Sequence, residues 1–153
     1  MNATSSELVR LWLEKANNDL KNAEIILAAQ TEWPPLDTVC FHCQQAVEKL
    51  IKAYLVYHGE KFPFTHNLAD LVAICMQVDE TFATIQRKAE TLTPFAVEIR
   101  YPDDFYMPSI EEANEAYAIA IEVKAFVLAR IDERLSKTND SDDEIRSAES
   151  GSE

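Results

Sequence analysis

Four residues spaced for one helical face, His42, Gln45, Lys49 and Lys52, hold the most informative chemistry in this chain. At about 100° per residue they fall within roughly 80° of one another. Two ammonium groups, an imidazole and a carboxamide on one stripe can hold a phosphate or a base edge. Their setting is unusual. Val39, Cys43, Ala46, Leu50, Tyr54 and Tyr57 fill the adjoining arc, Val47 and Ile51 widen it, and Phe41, Leu55 and Val56 lie elsewhere. A helix apolar on several sides is usually buried against more than one neighbour, and lysines seldom sit there unless paired or met by an anion. Three arrangements satisfy that constraint. The stripe lines a ligand groove; or Glu48 pairs with Lys52 at i,i+4 while the lysine stems run along a bundle surface; or Gln45 and Lys49 meet acids of a second subunit.

Other candidate residues carry weaker signals. Arg100 sits beside Tyr101-Pro102, where its planar guanidinium can bind a phosphate bidentately or pair with Glu98, Asp103, Asp104 or an acid on another helix. His66, after a helix cap at Thr65, can meet an anion at the positive helix end or fix the preceding loop by a hydrogen bond. Cys40-Phe41-His42-Cys43 has metal-like spacing, but a structural zinc site needs four ligands and Cys75 stands alone, so no metal is expected. Asp103-Asp104 and Glu111-Glu112 are adjacent in sequence, so their side chains diverge rather than form an acid/base pair. No nucleophile elbow and no His-Glu-x-x-His is present, and no catalytic residue or cofactor is assigned.

The elements that must position these groups are helices. Thr4 and Glu7 match a capping box opening a helix to about Gln30, with Leu8, Leu11, Leu20, Ala23, Ile26 and Leu27 buried. Trp33-Pro34-Pro35 breaks it. Asp37 caps the second helix, and Gly59 suits its left-handed end. Thr65 caps a short third helix carrying Leu68, Leu71, Val72 and Ile74. A fourth covers Glu80 to Leu92 with Phe82, Ile85 and Ala89 inward, and Phe95 to Arg100 form a further turn. Ser109 and Glu112 make another capping box, opening a last helix to about Leu135 whose buried side holds Ile110, Tyr117, Ile121, Leu128, Ile131 and Leu135. The expected architecture is all-α: an antiparallel bundle of four to five helices over residues 4–135, followed by an acidic, disordered tail over 136–153.

Composition agrees and excludes several classes. Glycine occurs twice, at Gly59 and Gly151, which removes Rossmann fingerprints and P-loops. The net charge is −13; six acidic and two basic residues in the tail supply −4 of it and leave −9 on the body. Such a surface argues against broad, non-specific nucleic-acid binding but allows a local basic pocket. No apolar run approaches the ~20 residues of a membrane span, and the start lacks a signal peptide. Three cysteines, an odd count, fit reduced thiols in a cytoplasm.

Several motifs together resemble a known family. Phe41-His42-Cys43-Gln44-Gln45-Ala46-Val47-Glu48-Lys49, then Lys52-Ala53-Tyr54-Leu55, Gly59 and Thr65-His66-Asn67-Leu68 are similar to the signatures of the HEPN domain. Leu92-Thr93-Pro94 and Val97-Glu98-Ile99-Arg100-Tyr101-Pro102 extend the resemblance over about residues 7 to 135. It implies an all-α bundle that usually dimerises, set in nucleotide or RNA transactions. Many such proteins pair with a minimal nucleotidyltransferase, some as toxin and antitoxin. HEPN ribonucleases carry an arginine followed after four to six residues by histidine. After Arg100 the corresponding positions are Phe105, Tyr106 and Met107, so no group suited to proton transfer near neutral pH is supplied, and the chain leans away from being an enzyme. The first expectation is therefore nucleotide or RNA-phosphate binding in a helical groove by Arg100, His42, Gln45, Lys49, Lys52 and His66, with Tyr101 stacking on a base. The alternative is a dimeric, non-catalytic interaction module, and a weaker one a ribonuclease with an atypical site.

Overall fold

A computed structural model describes residues 3–96 and 106–136, and among these residues there are helices and no strand. The elements are α1 (Ala3–Ala28), α2 (Leu36–Tyr57), α3 (Leu68–Val78), α4 (Ala83–Glu90) and α5 (Ile110–Leu128). Two short 3-10 turns, Glu80–Phe82 and Thr93–Ala96, flank α4. The remainder of the expected turn through Arg100, the segment 101–105 and the acidic tail from 137 lie outside the described residues, as does the side chain of the expected cap Thr4. No helix among the described residues is long and apolar enough to cross a membrane.

The second helix is the axis of the bundle. It buries fourteen of its 22 residues, which follows from its packing against α1, α5 and α3 together. Pro35, not Asp37, stands at its N-cap, and Asp37 accepts the Thr38 N–H within the first turn. At the other end Gly59 adopts φ 67°, and the Gly59 and Glu60 N–H groups donate to Val56 and Leu55. That is a Schellman closure, for which glycine avoids the clash of a β-carbon in the left-handed region.

Two faces turn out differently from the sequence expectation. In α1 the buried stripe is Val9, Leu13, Ala16, Leu20 and Ala23, while Leu8 and Leu11 are exposed. In α5 the buried stripe is Ala113, Ala116, Ile119, Ala120, Val123 and Val127. Ile110 and Ile121, expected inward, are 44% and 39% exposed. In α5 small residues let the helix approach its neighbours closely, so alanine marks the contact and Ile110 and Ile121 are turned aside. In α1 the stripe instead follows the register of Val9, Leu13 and Leu20, bulky residues among Ala16 and Ala23. The last helix also stops at Leu128 rather than near Leu135, although Ile131 and Leu135 are still buried beyond its end.

Local signals place the remaining elements. Asn67, not Thr65, caps α3 by accepting the Asp70 N–H at 3.2 Å, and Thr65 Oγ1 accepts the Asn67 N–H instead. Asp79 opens the 3-10 turn, and α4 follows only from Ala83. Phe82 links three elements: its ring lies 4.4 Å from Tyr54 on α2 and 4.9 Å from Phe126 on α5. The expected Ser109–Glu112 capping box is present.

Candidate functional site

The stripe on α2 is organised by two carboxylates. Asp19, on the buried side of α1, is only 7% exposed. Its Oδ1 lies 2.8 Å from His42 Nδ1 and its Oδ2 accepts from Lys49 Nζ at 2.5 Å. Because a carboxylate can only accept, His42 Nδ1 carries the proton in this arrangement. One carboxylate on α1 thus engages two side chains of α2, seven residues and two turns apart.

The second cluster ties α2 to the connector before α3. Glu48, 4% exposed, accepts from Lys52 Nζ at 3.1 Å through Oε2. Its Oε1 faces His66 Nδ1 at 2.7 Å and the Gln44 amide at 3.3 Å. Gln44 is fully buried, donates also to the His66 carbonyl at 3.4 Å, and accepts from Gln45 at 2.6 Å. Lys52 is enclosed further, its ammonium 5.7 Å from the ring centres of both Trp12 and Phe62. Burial of a charge is strongly unfavourable without such partners, and here both oxygens of Glu48 are engaged.

All five described members of the expected ligand set, His42, Gln45, Lys49, Lys52 and His66, therefore lie along α2 and the adjoining connector. Arg100 and Tyr101 lie outside the described residues. The pairing of Glu48 with Lys52 and the fixing of the loop by His66 follow the intramolecular alternatives open in the sequence. Asp19 is absent from the sequence expectation, although a signal for it exists. It follows Ala16 by three residues on the apolar face of α1, where an acid calls for a partner.

Each cluster sets one ammonium against one carboxylate, so neither lysine is free of a counter-charge to meet a phosphate. The side chain of Lys49 is 21% exposed and that of Lys52 8%. The thiols are no more available. Cys40, Cys43 and Cys75 are free and buried, and burial pushes them up to about 11, about 12 and about 12 respectively. They stay protonated at neutral pH and are poor ligands or nucleophiles. Among the described residues no group of three His, Cys, Asp or Glu side chains is placed to hold a metal ion.

The outer side of α5 contrasts with this closed network. Ile110, Asn114, Ala118, Ile121, Ala125 and Leu128 follow one another at helical spacing and include no charged residue. Apart from Leu128, which is half-buried, these positions are exposed. Tyr117 edges this strip and donates to Glu24 on α1 at 2.5 Å.

Comparison with known proteins agrees with the architecture. The family model of the HEPN domain matches residues 9–134. ST0689, an archaeal HEPN homologue of known crystal structure, superposes with a TM-score of 0.63 at 24% identity, covering 81% of this chain and 98% of that one. TT1696 from Thermus thermophilus superposes with a TM-score of 0.68 at 26% identity, covering 80% of this chain and 98% of its own. Among curated proteins none matches this chain in sequence.

Proposed function

The chain belongs to the HEPN domain family, and from that premise we propose that it is a non-catalytic interaction module that assembles with a second copy of itself. The observation that carries this reading is the uncharged strip on the outside of α5. In a chain of net charge −13, two copies repel wherever carboxylates face one another. The strip from Ile110 to Leu128 is a surface on which they can meet without that repulsion, and it is apolar enough to gain from leaving water. The stripe on α2 plays the supporting part: with Asp19 and Glu48 satisfying its cations, it fixes α1 and the connector against α2.

The family setting also suggests a minimal nucleotidyltransferase as a further partner, docked on the assembled pair. The nucleotide or RNA-phosphate reading would rest on Arg100 and Tyr101, with the cations of the stripe released from their carboxylates. The test is sedimentation equilibrium of the purified chain and of Ile110→Lys/Ile121→Lys. A dimer that the double substitution converts to a folded monomer supports the reading. A monomeric wild type, or a dimer indifferent to the substitution, overturns the assignment of this strip.

A further inference from the structure

A cleft of about 230 Å3 opens where the end of α4 and the Thr93–Ala96 turn meet the first half of α5. Leu92, Phe95, Ala116 and Ile119 form its apolar floor, and Glu112 and Glu115 stand among the residues that line it. These α5 residues lie on a different side of the helix from the uncharged strip, so the cleft and the proposed seam are separate surfaces.

We propose that this cleft receives an arginine or lysine side chain from a protein partner. The proposal rests on the interaction-module reading and adds the chemistry of what the module recognises. The aliphatic stem of such a residue covers the floor while its cationic head meets the two carboxylates, an arrangement that only long basic side chains satisfy at both ends. Anionic and phosphorylated partners are repelled by the same pair, and a purely apolar side chain would strip water from the carboxylates without replacing it.

The acids are placed for this. Glu112 Oε1 takes the Tyr106 hydroxyl and the Ser109 groups, and no bond to Oε2 occurs among the described residues. The Tyr106 hydrogen bond, with those from Ser109, holds the Glu112 carboxyl below the usual carboxylate range, so it remains ionised at neutral pH. Glu115 is exposed and has no ion-pair partner among the described residues, unlike Glu122 two turns further along α5, which takes both oxygens to Lys88 at 2.9 Å. The overall charge of −13 adds long-range attraction for a basic partner.

The test uses the full chain and a small probe, N-acetyl-arginine amide, followed by amide NMR shifts. Its neutral isostere, N-acetyl-citrulline amide, serves as the control. Saturable shifts at Leu92, Phe95, Ala116 and Ile119 with the arginine probe alone support the proposal. Glu115→Gln should weaken binding roughly tenfold, as the loss of one charge-assisted contact does, whereas Glu122→Gln should leave it unchanged. Glu115→Lys, a charge reversal at an exposed position, should abolish it. Shifts scattered over the acidic surface without saturation, equal response to citrulline, or indifference to Glu115→Gln and Glu115→Lys would each overturn it. A dimer by sedimentation with no response to the probe removes this inference alone. A monomer that binds the probe removes the homodimer reading and leaves the cleft.

Discussion

The stripe on α2 and the outside of α5 are opposite in character, and the difference separates charge from availability. The stripe is rich in functional groups, yet Asp19 engages His42 and Lys49, and Glu48 engages Lys52 and His66, at 3.1 Å or less. The strip from Ile110 to Leu128 on α5 has almost no functional groups, yet Ile110 and Ile121 remain in contact with water. A residue type suited to binding signals a site only when its partners are missing. The region with the more reactive composition is the one whose demands are met.

The contrast is tested most severely at Glu48. Glu48→Ala leaves Lys52 enclosed without its counter-charge, and should lower unfolding stability by about 3–5 kcal/mol in a urea titration. A loss below about 1 kcal/mol would mean that Lys52 reaches water and that the cluster is not closed. Asp19→Ala should cost less, about 1.5–3 kcal/mol, because Lys49 and His42 are partly exposed and recover hydration. Neither change should alter the assembly state at matched folded fraction. On α5 the pattern reverses: Ile121→Lys should change the stability of the dilute protomer by no more than about 0.5 kcal/mol while weakening self-association in sedimentation. A stability loss as large as that of Glu48→Ala would place Ile121 in the core after all.

The smallest effect concerns the apolar arc of α2. Burial raises the Cys40 thiol to about 11 and Cys43 to about 12 from an ordinary value of 9.0. An unfolded chain then loses these protons first. The contribution is full below pH 9 and is lost as pH rises through 11 to 12. Melting curves between about pH 8 and 10.5 should show that decline, and Cys43→Ala should make it shallower. An identical slope in the variant would indicate that the thiol is not shielded.

Much of the fold was legible because its punctuation is chemical. Gly59, the Ser109–Glu112 box and the two prolines after Trp33 each act through backbone conformation or a local hydrogen bond, which sequence states directly. The faces of α1 and α5 were less legible. Periodicity ranks Ile110 and Ile121 above Ala113, Ala116 and Ala120, whereas close helix approach favours the small residues. In the stripe, the pairing of Glu48 with Lys52 was readable at i,i+4. The link from Asp19 to residues 23 and 30 positions later was not, since only the crossing of α1 and α2 sets which side chains meet.

The most direct measurement is a thermal-shift titration of the full chain with nucleoside triphosphates and short RNAs, run beside Arg100→Ala. The interaction-module reading, in which Lys49 and Lys52 are committed to Asp19 and Glu48, predicts no ligand-dependent shift in either protein. A ligand at about 100 times its dissociation constant would stabilise the native state by about 2.7 kcal/mol. A shift of that order, lost in Arg100→Ala, would contradict the interaction-module reading and make the protein an anion-binding member of its family.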